Sequence, residues 1–519
     1  MRRFGDRLDT VKHSMKRIAY TLFCCLSLAC NSDSSGQCDN CDAAFDLTGV
    51  WHLDIAFDPA SRFAAALRLE RNGGSYRGHL FGETAKQVVV DKDHLLVELS
   101  PADSDDPLSR RILRLDQLDE NGAVNGTYEN CNGEECFTAE VVGHKVEPLD
   151  ETVAANVTLI AEYGQWTESG ITVNVRVHKN MAYLARYDDG LRIVDLTRPD
   201  RPTQRGHYPV DRRGEIYNDV KVVERADGTV YALMASSLAG VVVLDVSDPD
   251  APRNVTSFPP KSAAPESFPS VHTLFVEGDR AYLAYNFDNS LRIYNIANPA
   301  APTPLGSFLA TDRIASRATA PLGMNSAPHP LSRRPAAGGY LHDLYVEDGR
   351  AYLNYWNLGM IIVDTRDDPA NPTEVGRYRD YGQNTSHSNW VTRVSGRTLS
   401  VHGDEQYGAH VRIVDVAPES PEFLSTVAGY QTRPEVSVHN IMAHGDRAFV
   451  TYYQDGLRIL DISDPANPTL AGHYHTWPGF GPRHGHSFFE GAIGVDFDPE
   501  SNTIYVADTQ RGLLVLSLD

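Results

Sequence analysis

The chain has 519 residues, 41% of them apolar, which is enough for two or more folded units with substantial cores. Its 69 Asp and Glu residues outnumber its 47 Lys and Arg residues, so the formal net charge is −22. A protein this acidic repels a phosphate backbone and an anionic membrane surface, and nucleic acid is therefore excluded as an expected partner.

The N-terminus has the pattern of an export signal. Met15-Lys16-Arg17 is a basic start, residues 18–29 are a short apolar run, and Ala29 precedes Cys30. The run is too short to span a bilayer. Because the polar residues 2–14 do not fit such a signal, we expect translation to begin at Met15. We predict that residues 1–30 are a signal peptide.

Ser27-Leu28-Ala29-Cys30 resembles the lipoprotein box of bacteria, although Ser27 stands where that family prefers Leu. The resemblance implies a diacylated Cys30 followed by a polar tether over residues 31–44. It also implies an exported protein, held at the cell surface or in the periplasm by its lipid alone. Cleavage and secretion without a lipid is the alternative.

Four cysteines remain beyond Cys30. An even number in an oxidising compartment predicts two disulfides, with all three pairings open. The alternative is a structural zinc, because both pairs have tolerable ligand spacing. The pairs lie at the two ends of the next unit, so disulfides could clasp its first strand to its last. These cysteines are Cys38, Cys41, Cys131 and Cys136.

Residues 45–148 contain short apolar strands separated by turn residues. The dipeptides Asn72-Gly73, Asn121-Gly122 and Asn125-Gly126 mark three of the turns. This pattern predicts a small antiparallel β-sandwich or β-barrel.

From residue 155 onward the chain repeats itself. One strand recurs seven times, a small-aromatic-aliphatic strand such as Ala281-Tyr282-Leu283 precedes most copies, and a third strand precedes that one. A Pro-bracketed turn such as Ser463-Asp464-Pro465 and a fourth strand follow. Four antiparallel strands in a repeat of this length are one propeller blade. The seven copies end at Asp195, Asp245, Asn295, Asp364, Asp415, Asp461 and Ser517.

The ring needs one further strand. The seventh copy stops at its third strand, whereas residues 156–163 look like a fourth strand without a repeat of its own. We predict that this strand completes the seventh blade, since closure removes exposed strand edges. The chain is therefore expected to be all-β, with a seven-bladed propeller over residues 155–519.

The repeats resemble those of the LVIVD-repeat propellers. The segment GLRILDISDP at residues 456–465 is especially similar to the surface proteins called choice-of-anchor B. The resemblance implies an exported or surface-anchored propeller. It transfers no catalytic residue.

Histidines mark the expected mouth of the central channel. The innermost strand of each blade lines a propeller channel, and these strands begin with histidine in the third, fourth and sixth blades, with another histidine nearby in the fifth. Neutral imidazoles ligate first-row metals, so a transition-metal or anion site is one interpretation. The alternative is a repeat feature that satisfies backbone groups between blades. The candidate residues are His272, His342, Asp343, His387, His439, His484, His486 and Glu490.

Two hypotheses of function follow. Long connections at residues 309–339 and 476–490 carry aromatic and basic residues, and no nucleophile elbow, phosphate loop or dinucleotide motif is present. The first hypothesis is a monomeric binding module that presents its loop face to a protein, a glycan or a small ligand, with no catalytic residue and no certain cofactor. The second is a metal-dependent oxidase or hydrolase that uses the histidines.

Overall fold

The computed structural model describes residues 46–519, with gaps at 59–60, 92–93, 101–108, 117–121, 134, 165–170, 211, 261–267, 311–338 and 381–384. The predictions for the signal peptide, the tether, Cys30, Cys38 and Cys41 lie outside the described residues. Among the described residues, no helix is long and apolar enough to cross a membrane.

The N-terminal unit is one curled antiparallel sheet, a half-barrel. The sandwich alternative is therefore wrong, and the barrel is nearer to the observed form. Residues that alternate along the strands, such as Trp51, Leu53 and Leu67, fill the concave side. The sheet order is β4-β3-β2-β1-β9-β8-β7-β6-β5. The strands are β1 (Gly49–Asp58), β2 (Ser61–Asn72), β3 (Ser75–Leu80), β4 (Glu83–Thr84), β5 (Gln87–Asp91), β6 (His94–Leu99), β7 (Arg110–Asp116), β8 (Ala123–Asn132) and β9 (Glu135–Val146).

For the cysteine pair that the structure describes, the disulfide is one of the pairings left open, Cys131–Cys136, and it does not clasp the first strand to the last. Cys131 and Cys136 face each other in the hairpin of β8 and β9 and are bonded, with an Sγ–Sγ distance of 2.13 Å. This disulfide leaves neither thiolate for the zinc alternative. The first and last strands are joined instead by their own backbone ladder, in which Val50 pairs with Val146.

Seven further sheets form the propeller, and their inner strands contact one another in a closed ring. The first four blades are β12 (Thr172–His178), β13 (Met181–Arg186), β14 (Gly190–Asp195) and β15 (Thr203–Tyr208); β16 (Tyr217–Glu224), β17 (Val230–Ser236), β18 (Gly240–Asp245) and β19 (Arg253–Phe258); β20 (Val271–Glu277), β21 (Arg280–Tyr285), β22 (Ser290–Asn295) and β23 (Thr303–Phe308); and β24 (Leu341–Glu347), β25 (Arg350–Tyr355), β26 (Gly359–Asp364) and β27 (Thr373–Tyr378).

The remaining blades complete the ring. The fifth and sixth blades are β28 (Ser386–Val394), β29 (Arg397–Asp404), β30 (Val411–Asp415) and β31 (Thr426–Tyr430); and β32 (Ile441–His444), β33 (Arg447–Thr451), β34 (Leu457–Asp461) and β35 (Thr469–Tyr474), to which β10 (Ala154–Ala155) adds a fifth strand. The seventh blade is β36 (Ala492–Asp498), β37 (Thr503–Asp508), β38 (Gly512–Leu518) and β11 (Val157–Tyr163).

The seventh blade confirms the predicted closing strand. β11 pairs antiparallel with β38, from Val157 opposite Leu518 to Tyr163 opposite Leu513. The blade interiors follow from face-to-face packing. Residues 241–244 of β18 are all buried, because a strand covered on both faces presents no side to water.

The Asp that ends the repeated strand forms the turn that follows it. Asp195 Oδ1 accepts the backbone N–H of Thr197 at 2.7 Å, and Asp461 Oδ1 accepts that of Ser463 at 2.9 Å. An Asp side chain that caps its own backbone in this way stabilises a tight turn.

The N-terminal sheet packs on connections of the fifth, sixth and seventh blades. His52 Nδ1 lies 2.6 Å from the carbonyl of Glu435, and His144 Nδ1 lies 2.7 Å from the hydroxyl of Tyr407. Arg68 Nη1 donates to the carbonyl of Gly481 at 2.9 Å. The sheet is therefore hydrogen-bonded to the propeller through buried side chains.

Candidate channel-mouth metal centre

Four of the predicted histidines form a continuous row around one side of the channel. Their ring centroids are 4.1 Å apart for His272 and His342, 4.3 Å for His342 and His387, and 4.4 Å for His387 and His439. These residues, which we call the histidine row, come from consecutive blades, the third to the sixth. They border a cavity of about 290 Å³.

The outer members of the row are tied to neighbouring blades. His272 Nδ1 donates to the carbonyl of His342 at 3.1 Å, and His439 Nδ1 donates to that of Ile493 at 2.5 Å. Burial lowers the pKa of His272 to about 4 and that of His439 to about 3. Both rings are therefore neutral at physiological pH, and their Nε2 atoms carry free lone pairs.

The two central members are different. Within the described residues, neither ring nitrogen of His387 has a hydrogen-bond partner, and neither does Nδ1 of His342. His387 is 1% exposed. Burial, followed by the neighbouring imidazoles, holds the pKa of both histidines well below the ordinary value. A buried polar atom without a partner is costly and needs an explanation.

Glu405, which the sequence analysis missed, lies beside these two histidines. It directly follows β29, and its Oε2 atom is 3.4 Å from His387 Nε2. Tyr453 donates its hydroxyl hydrogen to Glu405 Oε1. Burial raises the pKa of Glu405 to about 8, against the hydrogen bond from Tyr453, which lowers it. One ligand atom from each of His342, His387 and Glu405 lies within 4.8 Å of the others.

This donor set suits a transition metal. Two imidazoles and one carboxylate hold zinc or non-haem iron in proteins and leave coordination positions open for a ligand. The signal for Glu405 was available but weak. The acidic pair Asp404-Glu405 stands at the end of the second strand, but the seventh blade also ends that strand in an acid, Asp508.

Charged residues on inner strands of other blades, β16 and β36, join neighbouring blades. Asp219 Oδ1 accepts the N–H of Val220 at 2.7 Å, and its Oδ2 accepts that of Leu274, in the next blade, at 3.1 Å. Lys221 Nζ lies 2.6 Å from Asp219 Oδ2. Asp496 Oδ2 likewise accepts the N–H of Val177 across a blade boundary at 2.7 Å.

Asp343, a predicted candidate, belongs with these residues. It borders the cavity, but its Oδ1 accepts the N–H of Leu344 at 2.7 Å. Burial, followed by the charge of Asp219, raises the pKa of Asp343 to about 6. We call Asp219, Lys221, Asp343 and Asp496 the charged group.

The structure does not bring the last three candidates to the mouth. His484, His486 and Glu490 lie in the connection between β35 and β36 and are not among the residues that border the cavity. Glu490 Oε2 accepts the backbone N–H groups of Gly485 and His486. Arg68 of the N-terminal sheet donates to the carbonyl of His484. These hydrogen bonds stabilise the connection between β35 and β36.

A second group of possible ligands consists of Glu151, His473 and His475. Arg458 already donates to Glu151 Oε1 at 2.6 Å. Arginines at the same position of other blades also pair with an acid, as Arg192 does with Asp189 at 2.8 Å. Glu151 therefore supplies the acid of a repeated ion pair, and we assign it a structural role.

Comparisons with known proteins agree with the strand pairing. The family model of the LVIVD repeat matches residues 169–210, 270–310, 338–380 and 437–476. The chain carries four LVIVD repeats within a seven-bladed β-propeller. The four matches correspond to the first, third, fourth and sixth blades, so three members of the histidine row lie in matched repeats and His387 does not.

Several solved structures are similar to the chain at low identity. A computationally designed protein, Ika8, is 8% identical, with 69% of this chain and 99% of that chain covered and a TM-score of 0.42. The C-terminal WD40 domain of Sif2 is 11% identical over 70% and 98%, with a TM-score of 0.43. Sqt1 of Saccharomyces cerevisiae is 9% identical over 67% and 96%, with a TM-score of 0.45. No curated protein matches the sequence.

Proposed function

We propose that this LVIVD-repeat propeller is a binding module whose channel mouth holds a divalent transition metal on His342, His387 and Glu405. A small ligand would reach the open positions of the metal from the cavity. The observation that carries the proposal is the buried imidazole of His387, whose two ring nitrogens have no hydrogen-bond partner among the described residues and whose Nε2 lies 3.4 Å from Glu405 Oε2.

Local charge supports the same proposal. The groups around the carboxylate of Glu405 are the hydroxyl of Tyr453 and the imidazoles of His387 and His439. Among the described residues these neighbours supply no positive charge, so burial raises the pKa of Glu405 to about 8 and its ionised form needs a cation beside it. A divalent ion bound by Glu405 and two neutral imidazoles supplies that charge.

Elemental analysis of protein purified without chelator tests the proposal. We expect about one equivalent of zinc, iron, copper or manganese, lost in both His387→Leu and Glu405→Gln because each variant removes a ligand. The matched control is His444→Leu, which changes an exposed histidine on β32 and should retain the metal. A folded wild-type protein that neither carries metal nor takes up added Co²⁺ or Zn²⁺ would contradict the proposal.

The second candidate function is the metal-dependent oxidase or hydrolase. The cavity beside the three ligands favours it, because catalytic zinc and iron sites keep positions open for substrate. Azide added to the Co²⁺-loaded protein tests whether the metal has an open coordination position. A shift in the visible absorption of the metal indicates an open position, whereas an unchanged spectrum indicates a closed, structural site and removes the enzyme as a candidate.

We also propose that the protein is exported and held at the cell surface or in the periplasm by a lipid on Cys30. The support is the sequence around Ser27-Leu28-Ala29-Cys30 alone. Mass spectrometry of the mature N-terminus checks it: a diacylglyceryl Cys30 is expected, and an unmodified N-terminus would leave secretion as the alternative.

A further inference from the structure

The turn between β33 and β34 contacts both the channel and the N-terminal sheet. Tyr453 points its hydroxyl at Glu405 in the channel. The next residue, Gln454, donates from Nε2 to the carbonyl of Phe488 at 3.0 Å and lies 3.4 Å from His52 Nε2. Two adjacent side chains thus join the proposed metal ligand to a strand of the sheet.

The tautomer of His52 fixes the direction of this contact. Burial lowers the pKa of His52 to about 3, so its ring is neutral. Since Nδ1 donates to the carbonyl of Glu435 at 2.6 Å, Nε2 is the acceptor, and the amide of Gln454 is its donor. The His52 ring also packs against Phe488, with centroids 4.6 Å apart.

The backbone of the turn is strained and held on several sides. Tyr453 has a φ of +36°, in the left-handed region that aromatic residues rarely adopt. Its carbonyl accepts the N–H of Ala492 at 3.0 Å. Arg433 joins Asp455 of the turn, at 2.6 Å, to the carbonyl of Glu147 at the end of the sheet, at 2.8 Å. The sheet therefore holds the turn at two points.

The turn also contacts the wall of the cavity. Phe489 borders the cavity, and its ring lies 5.5 Å from that of Tyr453 and 5.1 Å from that of Phe488. Movement of the sheet relative to the turn would therefore displace both the wall and the hydroxyl that orients Glu405.

We propose that docking of the N-terminal sheet sets the affinity of the channel metal through this turn, with Tyr453 and Gln454 as positioning residues. The inference rests on the proposed metal centre. By holding Glu405 Oε1, Tyr453 leaves Oε2 directed towards His387, and Gln454 keeps Tyr453 in its strained conformation. The N-terminal sheet is thereby a part of the site, although it supplies no ligand.

The test measures Zn²⁺ affinity of the full chain by competition with a chelator of known affinity. Tyr453→Phe should weaken binding about 10- to 100-fold, the usual loss when a group that orients a ligand is removed. Gln454→Ala and His52→Leu should weaken it about 2- to 30-fold, since they act at a distance. The double variant of Tyr453→Phe and Gln454→Ala should lose less than the sum, because both act on one contact.

The matched control is His144→Leu. It removes another side-chain contact between sheet and propeller, the half-buried one with Tyr407, and changes no residue of the turn. We expect unchanged Zn²⁺ affinity even if the thermal midpoint falls. A purely structural role for the turn would lower the thermal midpoints of Tyr453→Phe and Gln454→Ala and leave their Zn²⁺ affinities at the wild-type value.

The outcomes separate the two proposals. If the wild-type protein binds Zn²⁺ and both turn variants bind it equally well, the coupling is overturned and the metal centre stands. If the wild-type protein binds no metal, both are overturned. If His144→Leu weakens binding as much as Gln454→Ala, general loosening of the interface replaces the turn as the explanation.

Discussion

The histidine row and the charged group both lie along the inner strands of the propeller and meet on β24, yet they use their polar atoms in opposite ways. The carboxylates of Asp219 and Asp496 hold backbone N–H groups across blade boundaries. The two central histidines, His342 and His387, leave ring nitrogens without a partner among the described residues. Burial of a polar residue in the channel therefore does not by itself mark a site. Ring nitrogens without a hydrogen-bond partner that lie together beside a carboxylate, as at His342, His387 and Glu405, do.

The largest expected loss of stability follows from a substitution in the charged group. Asp219→Ala leaves Lys221 buried without its partner and frees two backbone N–H groups. We expect a loss of about 3–5 kcal/mol in the free energy of unfolding, as for other broken buried pairs. The midpoint of urea unfolding measures it. Asp200→Ala, on an exposed ion pair with Arg198, is the control and should not shift the midpoint. An equal shift in both variants would contradict a structural role for the charged group.

The second prediction concerns the pH dependence of stability. It contrasts His52, a buried histidine with hydrogen-bond partners, with the two central histidines of the row, which have ring nitrogens without one. His52 is hydrogen-bonded at both ring nitrogens, and its pKa of about 3 lies below the ordinary 6.5. The unfolded chain therefore binds the proton more readily, and the contribution of His52 to stability is lost as the pH falls from 6.5 towards 3. The loss is about 1.4 kcal/mol per pH unit. Among the described residues, the ionisable groups that face it are the guanidinium of Arg433 and the imidazole of His144, which lies opposite His52 on β9.

A comparison of His52→Leu with the wild type separates the pH-dependent contribution of His52 to stability from the contributions of the other histidines. The variant should be less stable than the wild type at neutral pH, because it lacks both hydrogen bonds. The difference in urea midpoint should shrink as the pH is lowered below 6.5. A difference that is constant with pH would show that His52 does not titrate as a buried neutral ring.

The smallest expected change in stability follows from a substitution in the histidine row. In metal-free protein, His387→Leu replaces an imidazole that has no hydrogen-bond partner among the described residues with an apolar side chain, so it should change the free energy of unfolding by less than about 1 kcal/mol. Unfolding in the presence of a chelator measures it. Added Zn²⁺ should then raise the thermal midpoint of the wild type and not of the variant. A loss in chelator as large as that of Asp219→Ala would make His387 a structural residue.

The sequence by itself determined the repeat architecture of this protein. Blade strands, Asp-capped turns and the closing strand β11 depend on hydrogen bonds and packing between neighbours in sequence or between repeats, so their pattern recurs visibly along the chain. The histidine row could be predicted for the same reason, because each member begins an equivalent strand.

Only the tertiary structure decided which residues share the site. Glu405 and Tyr453 are 48 residues apart and meet because two blades are adjacent, and the strained backbone at Tyr453 leaves no mark in the sequence. His484, His486 and Glu490 are not among the residues that border the cavity, and their connection contacts the N-terminal sheet, which the sequence pattern did not indicate. The partners of Cys131 and of the channel carboxylates were likewise fixed by strand register, since a residue's neighbours across a sheet depend on pairing that spacing alone cannot specify.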